Sequence, residues 1–391
     1  NRLTGALPDL SILSSLRKLS LSGNQLEGLF RSALGKSLSL CSWMFPPTLC
    51  MASFSKFTCL ILPNYAIPDW FWNLPSSELN YLNLSSNKIS GSIPNLPLEF
   101  GELPLLGLLD LGDNELTGII PPWIGERLDG LIVLRLRSNE FHGNIPSTLC
   151  RLLFLQVLNL SLNNISGVIP SCLNKLTAMA SVASSEAMTY LWEGSFGITD
   201  DDNFIFSFND HLLVVWKGFE RVYGNTLGML KSIDLSRNKL SGEIPRELAS
   251  LEGLINLNLS RNMLRGSIIR EIGQSKSLES LDLSTNNLSG EIPESMSELS
   301  FLSVLDLSNN KLSGKIPSST QLQSFNAISY SGNLRLCGEP LSKCPEDEPP
   351  KLPNNGGIER SSEGLFEPLV FYCDGYWIPC RILGDFWFIG D

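Results

Sequence analysis

Apolar residues recur along this chain with a beat that neither one helix nor one strand would produce. Around Leu278 the order is Leu278-x-x-Leu281-x-Leu283-x-x-Asn286-x-Leu288-x-Gly290-x-Ile292-Pro293. Leu281 and Leu283 alternate with a polar residue, as in a short half-buried strand. Leu288 and Ile292 continue the same inward set after a turn. Asn286 stands where the strand ends and the chain bends inward. Its amide both donates and accepts, so it can satisfy backbone groups that a turn inside a core leaves unpaired. Gly290 permits a tight bend, and Pro293 sets the next turn.

The frame repeats. Asn238, Asn262, Asn286 and Asn310 follow one another at intervals of 24 residues, marking four tandem copies over 230–317. The frame L-x-x-L-x-L-x-x-N-x-L-x-G-x-I-P at a fixed period is the signature of leucine-rich repeats. No single coil buries its apolar side alone, whereas stacked coils share one continuous core. The predicted fold is therefore a leucine-rich-repeat solenoid of the α/β horseshoe or superhelix type. It has a parallel concave β-sheet, 24-residue coils of the plant type and a mostly irregular or 3-10 convex side.

The markers also divide the chain. Residues 1–28 read as N-terminal repeats, opening on a half repeat (Asn1, Leu3, Gly5, Pro8). A start in mid-coil predicts a fragment that lacks an upstream cap. Residues 29–78 read as degraded or irregular repeats, because Asn87 follows Asn24 by 63 residues. Residues 79–178 form a repeat block marked by Asn87, Asn114, Asn139 and Asn163. An island insertion is expected at 179–227, since Asn163 and Asn238 lie 75 residues apart, 51 more than one period. Its aromatic content predicts that it packs in part against the solenoid, and HLLVVWKGFERVYG within it suits one or two strands. Repeats resume over 228–330, and 331–344 holds a C-terminal cysteine cap. Residues 345–363 read as an acidic disordered linker. Residues 364–391 are an aromatic tail in place of a transmembrane span. Prolines and charges there leave no apolar run of the roughly 18–20 residues that a bilayer needs.

A formal net charge of −11 argues against nucleic acid as a partner, because phosphate binding needs a basic face. Among nine cysteines, Cys337 and Cys344 close a short loop just after the last coil and suit a capping disulfide. Cys150 and Cys172 stand 22 residues apart at nearly equivalent places in adjacent coils, within bridging reach. Cys41, Cys50, Cys59, Cys373 and Cys380 receive no partner. Glycosylation triplets at Asn83, Asn159, Asn164, Asn258 and Asn287 favour a secretory history. There is no paired C-x-x-C, and His142 and His211 are isolated, so zinc is not expected. Nor is an enzyme: no Ser/His/Asp set, no G-x-S-x-G and no kinase motif occurs. Gly35-Lys36-Ser37 mimics the end of a phosphate loop, but Phe30 stands where that loop needs glycine. No cofactor is expected.

Several segments resemble one family. The coil text LDLSxNxLSGxIP is similar to plant extracellular repeats. VVWKGFERVYGNTLGMLKSIDLSRNKLSGEIP (214–245), GNLRLCGEPLSKC (332–344) and AIPDWFWNL (66–74) resemble plant leucine-rich-repeat receptor-like proteins, in particular the fungal xylanase receptors and Cf-type immune receptors. The resemblance implies the ligand-recognition ectodomain of a cell-surface receptor without a kinase, acting in defence or development. It implies a protein or peptide ligand, signalling through co-receptor kinases, and an extracellular position at the plasma membrane. The chain is membrane-anchored only if its true C-terminus carries a span. The alternatives are a secreted inhibitor of pathogen cell-wall enzymes, of the polygalacturonase-inhibitor kind, and a non-functional receptor relic.

Two surfaces are candidates for binding. The solvent-facing strand positions of the four tandem coils form a mostly polar concave face, with Lys231, Asp234, Arg237, Asn256, Arg261, Glu279, Asp282 and Asp306 as candidate contacts. In the family, the coils between island and cap are where partner kinases dock. In the island, Trp192, Trp216 and Tyr223 serve either to anchor a partner or to pack the island on the solenoid. Asp200, Asp201 and Asp202 read as a solvated acidic turn rather than a cation site.

Overall fold

In the computed structural model, the residues described in full are 79–93, 106–182 and 230–344, together with a short stretch at 19–25. Backbone alone is described for the strands Thr4–Gly5, Lys18–Ser20, Gln25–Phe30, Leu212–Trp216 and Phe219–Tyr223 where they extend beyond these ranges. All belong to one compact unit, Asn1–Asp347. The degraded repeats of 31–78, most of the island, the linker and the tail lie outside the described residues. So do Trp192, Asp200–Asp202, His211, Cys41, Cys50, Cys59, Cys373 and Cys380.

Each coil forms a three-residue strand centred on the first apolar residue of its L-x-L segment. Nine of these stack in parallel, from Lys18–Ser20 through Tyr81–Asn83, Leu108–Asp110, Val133–Arg135 and Val157–Asn159 to Ser232–Asp234, Asn256–Asn258, Ser280–Asp282 and Val304–Asp306. This is the first sheet. Its central residues Leu134, Leu158, Ile233, Leu257 and Leu281 point into the core and are at most 2% exposed. Burying each such side chain contributes about 1.5–3 kcal/mol, and the coils share that apolar layer along the stack.

A second parallel sheet of eleven strands follows the turn after each marker, as in Lys239–Gly242, Met263–Gly266 and Asn287–Gly290. Sequence reasoning expected only turns here. The N-x-L-x-G segment is too short to show an alternation, so its extended course was not legible. Its glycines are required twice over. Gly242 has φ +81°, and a Cβ there would stand 2.9 Å from Val168 Cγ1 of the preceding coil. The far side of the coil is irregular or 3-10, as expected: Ser147–Arg151, Ser171–Lys175, Arg246–Ser250, Arg270–Gln274 and Glu294–Glu298 each form one short 3-10 helix. Proline precedes four of them, and Ile269 holds the same extended conformation (φ −62°, ψ 134°) in the fifth.

The marker asparagines form a ladder that is buried at most coils and half-buried at Asn114 and Asn286. Asn262 Nδ2 donates to Leu235 O of the preceding coil (3.0 Å) and to Leu259 O and Ser260 O of its own (3.1 and 3.2 Å). Its Oδ1 accepts from Leu240 N of the preceding coil at 3.0 Å. Asn238 makes the same set to Leu160 O and from Ile165 N, across more than seventy residues of sequence. The strand Val157–Asn159 likewise pairs in register with Ser232–Asp234. Asn333 adds a rung that the repeat frame did not reveal, bonding Leu307 O and Leu312 N.

The stack ends in a cap. Leu307 N and Asn309 N donate to Ser329 O and Ser331 O, so an irregular segment takes the place of the next strand. Fully buried Tyr330 closes the core and donates its hydroxyl to Leu322 O at 2.6 Å. Cys337 is bonded to Cys344 just beyond it.

The residue before each marker takes left-handed backbone whatever its type: Ser86, Asp113, Ser138, Leu162, Arg237, Arg261, Thr285 and Asn309 all have φ near +55°. Leucine gains nothing from this conformation, and Leu162 is 37% exposed. Leu162→Asn should raise stability by about 0.5 kcal/mol, read as a shift in the denaturation midpoint. Asn262→Ala removes a buried amide and orphans several backbone groups. It should cost about 2–4 kcal/mol in the same measurement, and a loss below about 0.5 kcal/mol would contradict the ladder's role.

Candidate binding face

Per coil, the first sheet turns two strand residues outward, followed by a polar corner. At the second outward position the register runs Asn83, Asp110, Arg135, Asn159, Asp234, Asn258, Asp282, Asp306 across successive strands. Each acid or amide here folds its oxygen back onto the residue two places on. Asn159 Oδ1 accepts from Ser161 N and Oγ (3.1 and 2.7 Å), and Asp282 Oδ1 from Ser284 N and Oγ (3.0 and 2.7 Å). The L-D/N-L-S spelling is thus a local turn device as well as a surface pattern.

The face falls into two parts. From Asn83 to Asp234 this position is buried, whereas Asn258, Asp282 and Asp306 are partly exposed. As far as the strand Val157–Asn159 the first outward position is apolar: Leu108, Val133 and Val157 cluster with Leu230, with Tyr81 and Ile132 against them. Beside them lies an ionic network. Arg135 bonds Asp110 and Asp113 at 2.9 Å each, and Arg137 Nε lies 3.5 Å from Asp113. Burial pushes the Asp110 carboxyl up, against the pull of the Arg135 guanidinium. Sequence reasoning missed both features. The signal was present in the apolar Leu108, Val133 and Val157, which occupy positions where the tandem coils carry Ser232, Asn256 and Ser280.

Of the eight expected contacts on this face, Lys231, Asp234 and Asn256 are not solvent-facing: they are 5%, 3% and 4% exposed. Lys231 is drawn into the joint of the insertion, where its ammonium donates to Ser181 O. Burial lowers its pKa. Asn256 donates to Ser232 Oγ at 2.9 Å. Arg237 and Arg261 are exposed, while Glu279, Asp282 and Asp306 are partly so. In the island, Trp216 and Tyr223 lie on an antiparallel hairpin that pairs Trp216 with Phe219 and Leu212 with Tyr223.

The glycosylation triplets divide by the same geometry. Asn83 and Asn159 sit on the first sheet, 6% and 3% exposed, with their amides engaged in the turn device. Both side chains are therefore withdrawn from solvent in the folded chain. Asn258 has the same turn device and is partly exposed. Asn164 and Asn287 open strands of the second sheet and are exposed. Among the described residues, disulfides join Cys150 to Cys172, between neighbouring 3-10 helices, and Cys337 to Cys344. Among the described residues no cluster of metal-binding side chains occurs, and no helix is long and apolar enough to cross a membrane.

These stacked coils define a leucine-rich-repeat protein, and the Leucine Rich Repeat model matches residues 15–37, 78–99, 106–126, 154–176, 229–251, 277–299 and 301–322. Receptor-like protein EIX2 of Solanum lycopersicum is 47% identical over 164 residues, which cover 40% of this chain and 15% of that relative. Receptor-like protein 32 of Arabidopsis thaliana is 34% identical over 211 residues, 49% of this chain and 23% of the relative. The chain thus matches only about a sixth to a quarter of the length of these curated relatives. Among solved structures, the Arabidopsis receptor kinase HAESA, in complex with the peptide hormone IDA and the co-receptor SERK1, is similar at 32% identity and a TM-score of 0.57. The match covers 86% of this chain and 45% of that one. Within that class, the chain is similar to plant leucine-rich-repeat receptor-like proteins over 40–49% of its length.

Expressed through a plant secretory pathway, the protein should carry glycans at Asn164 and Asn287 and none at Asn83 and Asn159 in glycopeptide mass spectra. Occupancy at Asn159 would contradict its buried placement. The carboxyls of Asp234 and Asp282 are pushed above the ordinary 3.8 by burial, with bonds from Ser236 and Ser284 opposing. A raised folded value means that the fold holds the proton more tightly. The resulting stabilisation is complete below the unfolded value and is lost as pH rises through the folded one. Stability should therefore fall from pH 4 towards neutrality. Asn already serves at 83, 159 and 258, so Asp282→Asn, in protein made without glycosylation, should flatten that slope. At pH 7 it should add a few tenths to about 1 kcal/mol.

Proposed function

We propose that this chain is part of the ligand-recognition ectodomain of a plant cell-surface receptor without a kinase. It signals in defence or development through partner receptor kinases on the extracellular side of the plasma membrane. The observation that carries the reading is the division of the first sheet. A polar, partly accessible row runs from Asn258 through Asp282 to Asp306 and borders the end cap. Solenoids bind partners on such faces. The likeness to receptor-like proteins, and to a receptor ectodomain crystallised with a peptide hormone and a co-receptor, supports the same assignment. A peptide or protein ligand and a co-receptor kinase are the partners this reading requires. Nucleic acid does not suit a chain of net charge −11.

The test is proximity labelling in leaf cells that express the chain within its full reading frame, with the labelling enzyme fused on the lumenal side. Extracellular domains of receptor kinases should be labelled. Ser303→Trp, a bulky change at an exposed position of the open face, should reduce that labelling at unchanged protein level. Labelling confined to cytosolic proteins, or indifferent to Ser303→Trp, would overturn the reading.

A further inference from the structure

The corner where the first sheet turns into the second carries one residue per coil in left-handed backbone, and two neighbours there are arginines, Arg237 and Arg261. Arg237 N donates to Ser260 O and Arg261 N to Ser284 O, which locks both corners into the stack. Adjacent coils stand about 4.8 Å apart, so the two basic side chains leave the stack from neighbouring points, where like charges repel. Both side chains are exposed, and neither forms an ion pair with a described residue. The same corner holds Asp113 in an earlier coil, and that side chain turns in to meet Arg135 and Arg137. The paired arginines have no such engagement.

The surroundings limit what can sit there. Leu162 precedes the pair and Thr285 follows it at the same corner, so the basic run ends after two coils. Lys239 and Arg265 add positive charge on adjoining strands of the second sheet, with Glu243 partly offsetting it. Across the first sheet, Asp282 and Asp306 are paired in register on neighbouring strands, with Glu279 beside them. An extended polyanion would be repelled there. A single carboxylate fits, because two guanidinium forks can hold it with charge-assisted hydrogen bonds.

We propose that Arg237 and Arg261 form a docking point for a carboxylate of a peptide or protein partner, an acidic side chain or a free C-terminus. A cationic residue of the same segment lies over Asp282 and Asp306, about 5–14 Å away at the strand spacing. This names the chemistry of the partner and rests on the recognition reading above.

The experiment is selection of a random octapeptide display library on the whole chain, with polygalacturonate as a second, non-peptide probe. Selected peptides should be enriched in Asp, Glu or a free C-terminus about three residues from Lys or Arg. Their affinity should fall at least about tenfold for Arg237→Gln/Arg261→Gln. Arg237→Lys/Arg261→Lys, which keeps the charge but not the fork, should recover only part of it. An unchanged denaturation midpoint for the double variants keeps the comparison valid, and Ser86→Gln, at the same corner in a distant coil, should change nothing. Peptides selected without acidic enrichment, or binding the Gln variant equally well, would overturn the docking point and leave the recognition reading standing. Failure to select any peptide would overturn both. Polygalacturonate that binds as tightly as the peptides, and is lost with the same variant, would overturn the peptide source in favour of an acidic polysaccharide.

Discussion

The constraint on which this solenoid depends is the burial of a polar turn. Each coil must bring its backbone inward after the first sheet, and that turn presents carbonyls and amides to an apolar interior. Unpaired, each would cost about 1–3 kcal/mol, comparable with the burial of a leucine. The asparagine rungs remove the penalty by bonding the turn they sit in and the coil before it. Because every rung reaches backward, no coil completes its own hydrogen bonding. The stack is cooperative for a polar reason as well as an apolar one.

That dependence explains how far the sequence could be read. The leucines, the asparagines and the period are bound by core geometry, so they spelled the first sheet, the 3-10 side and the register from Asn238 to Asn310. The second sheet was hidden because its strands follow from glycine stereochemistry and the close approach of neighbouring coils, not from any alternation of side chains. The left-handed corner was hidden for a related reason. Its conformation is imposed by the rungs on either side, so Ser, Asp, Leu, Arg, Thr and Asn all occupy it, and no residue type announces it.

The binding face was legible as a place but not as a surface. Reading outward positions from the frame put Lys231, Asp234 and Asn256 in solvent, and the folded chain buries them. Position within a coil decides which way a side chain points, whereas burial also depends on what lies over the sheet, and the repeat carries no record of that. The same distinction separates the glycosylation triplets. Asn159 and Asn164 look alike in sequence, yet one closes a turn on the sheet face and the other opens an exposed strand.

One joint in the stack reaches further than its size suggests. Lys231 and Ser181 touch although fifty positions separate them, and the strands on either side pair as if nothing intervened. The insertion therefore leaves and re-enters the solenoid at a single point. Segments joined to a scaffold in this way can be exchanged, lengthened or rewritten without disturbing a rung of the ladder. The stack and the excursion are then constrained by different things, the one by its leucines and asparagine rungs, the other by the joint at which it leaves and returns.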